Sequence, residues 1–440
     1  MLKGLLRRTI QKNIFRLLTT AYDQSLWEGI TGIIHHGIMD VMENEYRSLA
    51  PHALTKPIGA SNHFPHFDGL LLNYGQLYRP PLLTNQTVDL SCTLGKCCAR
   101  PLKLSMPIMI SGMAYGISLS KSVSLALAAA SGQAGIAFNP GQGGYRNEYR
   151  QLAHRLILQI HGASWEQKGE VLQKADAIEI KIGQGANGGA GLIIDPQAFS
   201  QLDQEVVSDL GLQNHDKNEP IYLPSSSQML NSYGGLNGLI QKLHTDIPGI
   251  PIIVKLAASN HLEKDMEIAI TAGADVLAID GAQGGTHGSP SILVNDFGLP
   301  TINALARAVK FLRDTGYGQQ IDLVISGGLR TPGDVLKALA LGANAVYFGT
   351  AALYAVTHAQ LAKTLPFDPP TAITWSTGSL KDQFNEEEGT TSLLNFLISF
   401  ADELKFGLHA LGKASLQELS INDLIAWDVN VARITGLPLI

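Results

Sequence analysis

The sequence predicts an α/β protein folded as a (β/α)8 TIM barrel, with an N-terminal covering segment and a C-terminal helical extension. Eight short apolar runs follow one another between residues 105 and 350, and most are separated by stretches with helical periodicity. This alternation is typical of parallel sheets that are covered by helices. A doubly wound sheet is the alternative architecture.

Polar side chains at the ends of the runs favour the barrel over the doubly wound sheet. In a barrel, the loops that follow the strands all meet at the C-terminal face, where active sites form. The polar residues that follow the runs are Tyr115, Gln142, Gln159, Gln184, Lys255 and Gln283.

Each run is predicted to be a buried strand because it is short, apolar and closed by glycine or a polar residue. In chain order the runs are MPIMISGM, AGIAFNPGQGG, HRLILQIHG, DAIEIKIGQG, IPIIVKLAAS, ADVLAIDGAQGG, IDLVISGG and NAVYFGT. Helices are predicted in SLSKSVSLALAAAS, HLEKDMEIAITAG, LPTINALARAVKFLRDTG and GDVLKALALG. The link ASWEQKGEVLQKA, between the third and fourth runs, is a brief helix at most.

The regular pattern divides the chain into three parts. Residues 91–365 form the barrel domain, residues 1–90 a helical and irregular segment, and residues 366–440 a helical extension. The first residues, MLKGLLRRTIQKNIFRLL, are basic and amphipathic, so they form either a helix packed on the body or a helix at a membrane surface. Residues 51–90 are rich in Pro, Asn, His and Gly but also carry aromatic residues, which predicts an ordered covering segment.

Composition narrows the class of protein. With 45% hydrophobic and 16% charged residues over 440 positions, the chain can bury a large core. The net charge of −6 argues against nucleic acid as a partner. The cysteines Cys92, Cys97 and Cys98 are too few for a disulfide framework, so a reducing compartment such as the cytoplasm is expected. No apolar run reaches the ~18 residues of a membrane-spanning helix.

The stretch SGGLRTPGDVLKALALGANAVYFGT, residues 326–350, predicts a phosphate-binding site. It contains the end of the seventh strand, a helix and the eighth strand, with a glycine-containing turn after each strand. Thr331 is expected to cap the helix and Pro332 to be its first residue. Backbone N–H groups of such turns bind anions, and barrels most often bind phosphate after strands seven and eight. A phosphorylated cofactor is therefore expected at this position.

Two lysines lie inside predicted buried strands, Lys181 in IEIKIGQG and Lys255 in IIVKLAAS. Burying a lysine is costly unless it has a partner. Two interpretations stay open. Each lysine forms a structural ion pair with Glu179 or Asp280, or one lysine lies beside an electron-rich cofactor. A flavin would be such a cofactor, because a fixed ammonium stabilises the negative charge of its reduced ring.

Six motifs occur in order along the chain: SGMAYGISLSKSVSLALAAA, FNPGQGG, IEIKIGQGA, VKLAAS, IDGAQGGTHGSP and SGGLRTPGDVLKALALGANAVYFGT. Together they resemble the FMN-binding synthase domain of glutamate synthases, and most closely the stand-alone glutamate synthase-like proteins. The resemblance covers roughly residues 90–365. It implies a TIM barrel, FMN, and an oxidoreductase acting on a CH–NH2 centre, with hydride moving between FMN N5 and a 2-oxo acid, imino acid or amino acid.

The resemblance also implies roles for individual residues. Those that would bind FMN are Gly112, Ala114, Tyr115, Gln159, Lys255, Gly284, Gly285, Gly327, Gly328, Gly349 and Thr350. Lys255 would lie near flavin N1 and O2, and it would act in catalysis together with Lys181 and Gln184. The residues that would bind the substrate are Lys181, Gln184, Gln142 and Asn187. No metal ligand is expected, and the histidines of SNHFPHFDG are assigned surface or capping roles.

Several positions depart from the glutamate synthase pattern. Gln142 stands where those enzymes usually have an acid, and Asn187 where they have a second lysine. The arginine expected soon after strand four is missing as well. Because a dicarboxylate needs charged partners, these differences predict weak binding of 2-oxoglutarate, unless Arg79 and Lys56 of the N-terminal segment substitute.

Electrons and nitrogen are expected to come from outside this chain. No NAD(P)H-binding domain, no cluster-binding cysteines after the last strand and no glutaminase nucleophile are evident in it. A separate electron donor is therefore expected, and an oligomer is compatible with the sequence. His287 is either a proton donor to the substrate or an ordinary loop histidine. Two alternative functions stay open: an FMN barrel dehydrogenase with a non-glutamate substrate, and a non-catalytic flavin-binding subunit.

Overall fold

The computed structural model of the protein describes residues 2–49, 51–56, 58–161, 168–223, 230–286 and 288–440. The strands of these residues are β1 (Leu70–Leu72), β2 (Cys92–Leu94), β3 (Leu102–Leu104), β4 (Ile108–Ile110), β5 (Ala137–Phe138), β6 (Arg155–Ile160), β7 (Ala177–Lys181), β8 (Leu192–Ile194), β9 (Ile221–Leu223), β10 (Ile252–Ala257), β11 (Val276–Asp280), β12 (Asp322–Ser326), β13 (Ala345–Phe348) and β14 (Leu424–Ala426).

Eight of these strands close into a parallel barrel. Their order around the barrel is β10, β11, β12, β13, β4, β5, β6 and β7, and β7 pairs again with β10. Each barrel strand lies within one of the eight apolar runs, so the predicted (β/α)8 barrel is confirmed. The strands are apolar along most of their length because barrel strands are buried on both faces.

The helices of the described residues are α1 (Leu2–Thr19), α2 (Leu26–His36), α3 (Ile38–Leu49), α4 (Lys121–Ala134), α5 (Glu148–Leu152), α6 (Gly169–Leu172), α7 (Pro196–Ser200), α8 (Gln204–Asp209), α9 (Leu236–Asp246), α10 (Leu262–Thr271), α11 (Ser291–Asn295), α12 (Thr301–Thr315), α13 (Pro332–Leu341), α14 (Thr350–Thr357), α15 (Thr371–Thr374), α16 (Glu386–Ala410) and α17 (Val429–Thr435). None of these helices is long and apolar enough to cross a membrane.

Local signals place the ends of several helices. The Thr331 side chain accepts a hydrogen bond of 3.1 Å from the Asp334 N–H, and Pro332 is the first residue of α13, as predicted. Asn385 caps α16 in the same way, where three glutamates occupy the first turn and favour the positive end of the helix dipole. The brief helix predicted between the third and fourth strands is α6, although residues 163–167 of that link lie outside the described residues.

The chain forms two compact units, residues 1–55 and residues 56–440. The first unit contains α1, α2 and α3. Within α1, the side chains of residues 6–19 are exposed apart from the half-buried Leu17. The second unit contains the barrel and everything that follows it. Within this unit, β1 pairs antiparallel with β14, so the covering segment and the chain's last residues meet in one small sheet.

The N-terminal end of the barrel is closed by apolar residues. The antiparallel pair β2–β3 places Leu94 and Leu102 in one buried cluster with inward-facing barrel residues such as Ile253 and Val324. At the flank, the long helix α16 packs against α4 and α14. With one end filled, the C-terminal end of the barrel is the end that holds a cavity.

Candidate active site

A cavity of about 890 Å³ lies at the C-terminal ends of the barrel strands. All eight strands contribute to its wall, either with a residue of their own or with one in the loop that follows. In barrel sequence order, one such residue from each strand is Ser111, Gln142, Gln159, Lys181, Lys255, Asp280, Ser326 and Tyr347. This convergence is the arrangement that the sequence predicted from the polar residues after the strands.

Lys255 is a buried cation at the base of the cavity. Its Nζ lies 4.0 Å from Asp280 Oδ2 and 3.5 Å from Ser111 Oγ, and it sits over the ring of Tyr347 at 5.4 Å from the centroid. Asp280 is itself fixed, since its Oδ1 accepts a 2.7 Å hydrogen bond from Ser326 Oγ. Lys255 therefore has Asp280 as the acidic partner that the ion-pair interpretation required. It also lines the cavity, as the interpretation that places a lysine beside a cofactor required.

Lys181 lies directly opposite Lys255 in the register of β7 and β10. Its Nζ donates a 2.8 Å hydrogen bond to Gln142 Oε1. Burial, together with the neighbouring Lys255 cation, lowers the pKa of Lys181 to about 7, although Glu179 and Asp280 oppose this shift. Gln142 is a neutral partner and adds no charge that would hold the proton on Lys181. Lys181 therefore titrates near neutral pH, unlike an exposed lysine.

Anion binding at Lys181 is expected to weaken as the pH rises through about 7. The side chain is charged below its pKa and neutral above it, so the anchor for an anion is present at low pH and lost at high pH. The dissociation constant of a small carboxylate bound at Lys181 should rise by up to about tenfold for each pH unit above the pKa.

The measurement is a titration with a small carboxylate from about pH 6 to about pH 9, which brackets the pKa of Lys181. The variant Lys181→Arg stays charged throughout, so its affinity should be flat across the same window. In Gln142→Glu, an added carboxylate would raise the pKa of Lys181 and move the transition to higher pH. If the affinity of the wild type changed with pH as little as that of Lys181→Arg, the expectation would be contradicted.

Glu179 orients two amides beneath the cavity. It is fully buried, and its Oε1 accepts hydrogen bonds from Asn139 Nδ2 at 2.9 Å and from Gln159 Nε2 at 2.6 Å. A carboxylate only accepts hydrogen bonds, so both amides must turn their N–H groups towards it. Gln159 is thus held in one orientation where it lines the cavity. The sequence placed Glu179 beside Lys181 but gave no sign of Asn139.

The glycine turns after β12 and β13 form the other end of the cavity. Gly327 and Gly328 have φ angles of 110° and 72°, which side-chain-bearing residues rarely adopt. The backbone N–H groups of 327–329 and 349–351 donate no hydrogen bond to another described residue. Such groups at a turn and at a helix start are the usual ligands of a phosphate. The geometry therefore fits the phosphate site that the sequence predicted.

Gly349 leaves open space next to these N–H groups. A Cβ added there would have Ser111 Cβ, at 4.0 Å, as its nearest neighbour. At Gly328, by contrast, an added Cβ would lie only 2.8 Å from Gln283 Cβ, so this glycine is needed for packing. Gln283 is held in place because its Oε1 accepts a 2.7 Å hydrogen bond from the Thr301 N–H.

The cavity brings together all of the sequence-predicted site residues except Tyr115 and Asn187. Those that line it are Gly112, Ala114, Gln142, Gln159, Lys181, Gln184, Lys255, Gly284, Gly285, Gly327, Gly328, Gly349 and Thr350. Gln184 is also tied to the loop after β11, because its Nε2 donates a 3.0 Å hydrogen bond to the Gly285 carbonyl.

Tyr115 and Asn187 lie elsewhere. The Tyr115 ring belongs to a separate apolar cluster with Phe199 and Val206, and its hydroxyl donates a 3.2 Å hydrogen bond to Asp203 Oδ2. Burial, helped by Asp203, raises the pKa of Tyr115 to about 12. Asn187 is buried within the loop after β7, where its N–H donates to the Gln184 carbonyl at 3.0 Å.

Several cavity residues were missed by the sequence analysis. Arg330 lines the cavity after the glycine turn of β12, in a motif that was considered only for its glycines. Helix α16 contributes Ser392, Asn395 and Ser399. These three polar residues recur at helical spacing on one face of α16, which is a signal that could have been found in the sequence.

The other groups singled out in the sequence lie outside this cavity. Cys92 is buried, its Sγ lies 3.2 Å from the Asn344 carbonyl, and burial raises the pKa of its thiol to about 12. Cys97 and Cys98 are also free thiols. Among the described residues, no group of three or more His, Cys, Asp and Glu side chains is placed to hold a metal ion. His287 lies outside the described residues.

Comparison with known proteins identifies relatives of this chain. The family model described as the conserved region in glutamate synthase matches residues 81–414. The glutamate synthase large subunit-like protein of Rhizobium meliloti is 31% identical, over 87% of this chain and 89% of that protein. The archaeal-type glutamate synthase (NADPH) of a Thermotoga species is also 31% identical, over 82% of this chain and 74% of that protein.

Solved structures share the fold at much lower identity. An oxidised active mutant of (S)-mandelate dehydrogenase superimposes with a TM-score of 0.53 over 82% of this chain and 88% of that one. The two sequences are 17% identical, so this likeness speaks for the barrel fold alone.

Proposed function

This chain belongs to the glutamate synthase family, and from that premise we propose that its cavity binds FMN and exchanges electrons between the flavin and a small 2-oxo acid or amino acid. The protein is an FMN-dependent oxidoreductase. The observation that carries the proposal is the pairing, in one cavity, of a phosphate-binding end with two buried lysines at the base.

The residues present fit FMN at both ends of the cavity. The N–H groups of 327–329 and 349–351 would bind the phosphate, and Gly349 leaves room for it. Gly112, Ala114, Gln159, Gly284 and Gly285 would surround the rest of the cofactor. FMN, when bound, supplies two-electron chemistry and accumulates negative charge on the pyrimidine side of its ring.

The polar residues at the base have separate proposed roles. Lys255 would provide a fixed positive charge for the electron-rich ring, and Asp280 would hold Lys255 in place. Lys181 and Gln184 would bind the carboxylate and the neighbouring oxo or amino group of the substrate. Since Lys181 titrates near neutral pH, it could also take up or release a proton at its Nζ.

The substrate is proposed to carry fewer charges than 2-oxoglutarate. Gln142 is neutral and already accepts a hydrogen bond from Lys181, and Asn187 lies in its own loop rather than on the cavity wall. Since Lys255 is proposed to serve the cofactor, Lys181 is the one lysine left for the substrate. A 2-oxo acid or amino acid with one carboxylate matches this single positive charge.

Electrons would come from a separate donor, in a reducing, cytoplasmic compartment. The division of the chain into residues 1–90, 91–365 and 366–440 is proposed as the functional one.

The test of this function begins with the visible spectrum of the purified protein. We expect flavin absorption, and we expect that heating releases a flavin that co-migrates with FMN. Stopped-flow mixing of the reduced protein with a panel of 2-oxo acids plus ammonium should then identify acids that reoxidise it. A protein that carries no flavin and binds none when FMN is added would overturn the proposal.

Replacing Lys255 with methionine is expected to lower the midpoint potential of the bound flavin. Without the ammonium, the reduced anionic ring loses an interaction of about 1–3 kcal/mol. For a two-electron couple this corresponds to a shift of about 20–60 mV. The measurement is a spectroscopic redox titration of both proteins, with Lys255→Arg as a control that keeps the charge. An unchanged potential with FMN still bound would leave Lys255 as a structural ion-pair partner of Asp280 alone.

A further inference from the structure

His66 connects the covering segment to the glycine turn after β12. Its side chain is buried, with 8% of the residue exposed, and it is not part of the cavity wall. One ring nitrogen, Nε2, lies 2.9 Å from the Gly328 carbonyl oxygen. The other, Nδ1, lies 2.8 Å from Nη2 of Arg330. Both contacts are to the turn after β12, whose residues 327–330 line the cavity.

These two partners fix the protonation of the ring. A carbonyl oxygen only accepts, so Nε2 must carry the hydrogen that is donated to Gly328. A guanidinium only donates, so Nδ1 must carry the lone pair that accepts from Arg330. His66 is therefore neutral and in a single tautomer. Burial lowers the pKa of His66, which is consistent with this, while the carboxylates of Asp334 and Asp68, each 3.9 Å from Nδ1, oppose the shift.

The first contact orients a peptide group of the turn. In a trans peptide the C=O and the following N–H point in opposite directions. Because the Gly328 carbonyl points at His66, the N–H of Leu329 points away from His66. Leu329 lines the cavity, and its N–H donates no hydrogen bond to another described residue.

The second contact restrains a cation at the cavity wall. The Arg330 guanidinium donates to His66 and lies 3.3 Å from Asp68 and 3.5 Å from Asp334. Its own backbone N–H is held by Asp334 Oδ2 at 3.0 Å. Arg330 is 56% exposed at the side chain and lines the cavity, so without these partners it would be free to turn into solvent.

We propose that His66 is a positioning residue for the phosphate of the cofactor. It holds the turn 328–330 in the orientation that presents the Leu329 N–H and the Arg330 guanidinium to the phosphate, without touching the cofactor itself. The inference rests on the proposed FMN site. It assigns a role to a histidine of the SNHFPHFDG motif, for which the sequence indicated only a surface or capping position.

The test compares two ligands that differ only in the phosphate. Apoprotein is titrated with FMN and with riboflavin, and the ratio of the two dissociation constants is measured for the wild type, His66→Phe, His66→Ala and His66→Gln. His66→Gln can still donate an amide N–H to the Gly328 carbonyl. His154→Ala, at an exposed histidine, is the control for the loss of a histidine as such. Thermal unfolding of each variant identifies any that fail to fold.

We expect the preference for FMN over riboflavin to fall by about tenfold or more in His66→Phe and His66→Ala, while the affinity for riboflavin is unchanged. His66→Gln should keep most of the preference. An unchanged preference in all variants would overturn the inference. An equal loss of affinity for FMN and for riboflavin would also overturn it, because it would show that His66 supports the fold and not the phosphate site in particular. If the variants with Phe and Ala do not fold, His66→Leu, which also lacks both ring nitrogens, takes their place, and the same outcomes decide.

Failure of the proposed function is a separate outcome. A wild-type protein that binds neither flavin would refute the FMN site, and with it the role of His66. A wild type that prefers FMN, with variants that prefer it equally, would refute the role of His66 and leave the FMN site intact.

Discussion

A Gly349→Leu variant is expected to lose its flavin completely. The added side chain would occupy the open space beside Ser111, between the N–H groups of 327–329 and 349–351, where the phosphate is proposed to bind. The glycine has φ −105° and ψ −87°, so its φ lies outside the left-handed region that disfavours other residues. Flavin loss would therefore follow from blocking the site rather than from backbone strain.

The measurement is the ratio of flavin absorbance to protein after desalting, together with the thermal unfolding midpoint. Leucine is a poor residue at the position that precedes a helix, but that substitution costs only about 1 kcal/mol. Gly169→Leu is a matched control, because Gly169 is the first residue of α6 and has nothing within 4 Å of an added Cβ. Full flavin content in Gly349→Leu would show that the phosphate binds elsewhere.

Binding of 2-oxoglutarate is expected to be weaker by about a thousandfold or more than in a site with a charged partner for each carboxylate. Losing one charged partner of a desolvated carboxylate costs about 2–5 kcal/mol. The resemblance implies two cations that this chain lacks, a lysine where Asn187 stands and an arginine soon after strand four. Among the described residues that line the cavity, the lysines and arginines are Lys181, Lys255 and Arg330. The latter two are proposed to serve the cofactor, which leaves Lys181 alone for the substrate.

The residues that the sequence offered as substitutes are engaged elsewhere. Arg79 forms a 2.6 Å ion pair with the buried Asp423, which ties the covering segment to the end of the chain. Lys56 bonds to Ser61 and, at 3.2 Å, to Asn295 Oδ1. Neither Arg79 nor Lys56 lines the cavity.

The experiment titrates the FMN-loaded protein with 2-oxoglutarate and with a 2-oxo acid that has one carboxylate, and follows the flavin spectrum. We expect no response to 2-oxoglutarate at millimolar concentration. Lys181→Met should abolish the response to the monocarboxylate. Lys405→Met should not, because this lysine of α16 is 45% exposed at the side chain and lies outside the cavity. Micromolar binding of 2-oxoglutarate, with rapid reoxidation in the presence of ammonium, would contradict the expectation and restore the full family activity.

The barrel could be predicted from the sequence because the patterns that indicate its strands and helix ends involve residues close together in the chain. Every strand is a short apolar run, and the turn that ends it contains glycine or a polar residue next to it in the chain. The cap of α13 is equally local, since Thr331 and Asp334 are three residues apart. The pairs β2–β3 and β8–β9 were not predicted, because three-residue strands are too short to show a period.

Tyr115 has surroundings that the sequence did not indicate. The resemblance implied that this residue contacts the flavin, and in the structure the segment that contains α7 and α8 supplies an apolar cluster in which the ring is buried. The residues of that cluster, Phe199 and Val206, are more than eighty positions further along the chain. No pattern around Tyr115 could have indicated them.

The sequence by itself determined the barrel, the family and the glycine turns, because each depends on residue types that are close together in the chain. Only the tertiary structure decided what surrounds the reactive groups. It placed Lys255 beside Asp280, gave Lys181 the neutral Gln142 as its partner, and set His66 against the turn at Gly328. The physical reason is that charge, pKa and hydrogen bonding of a buried group depend on whatever lies within a few ångströms of it. In this barrel those neighbours come from different strands and from the covering segment, so their positions are fixed by the folding of the whole chain.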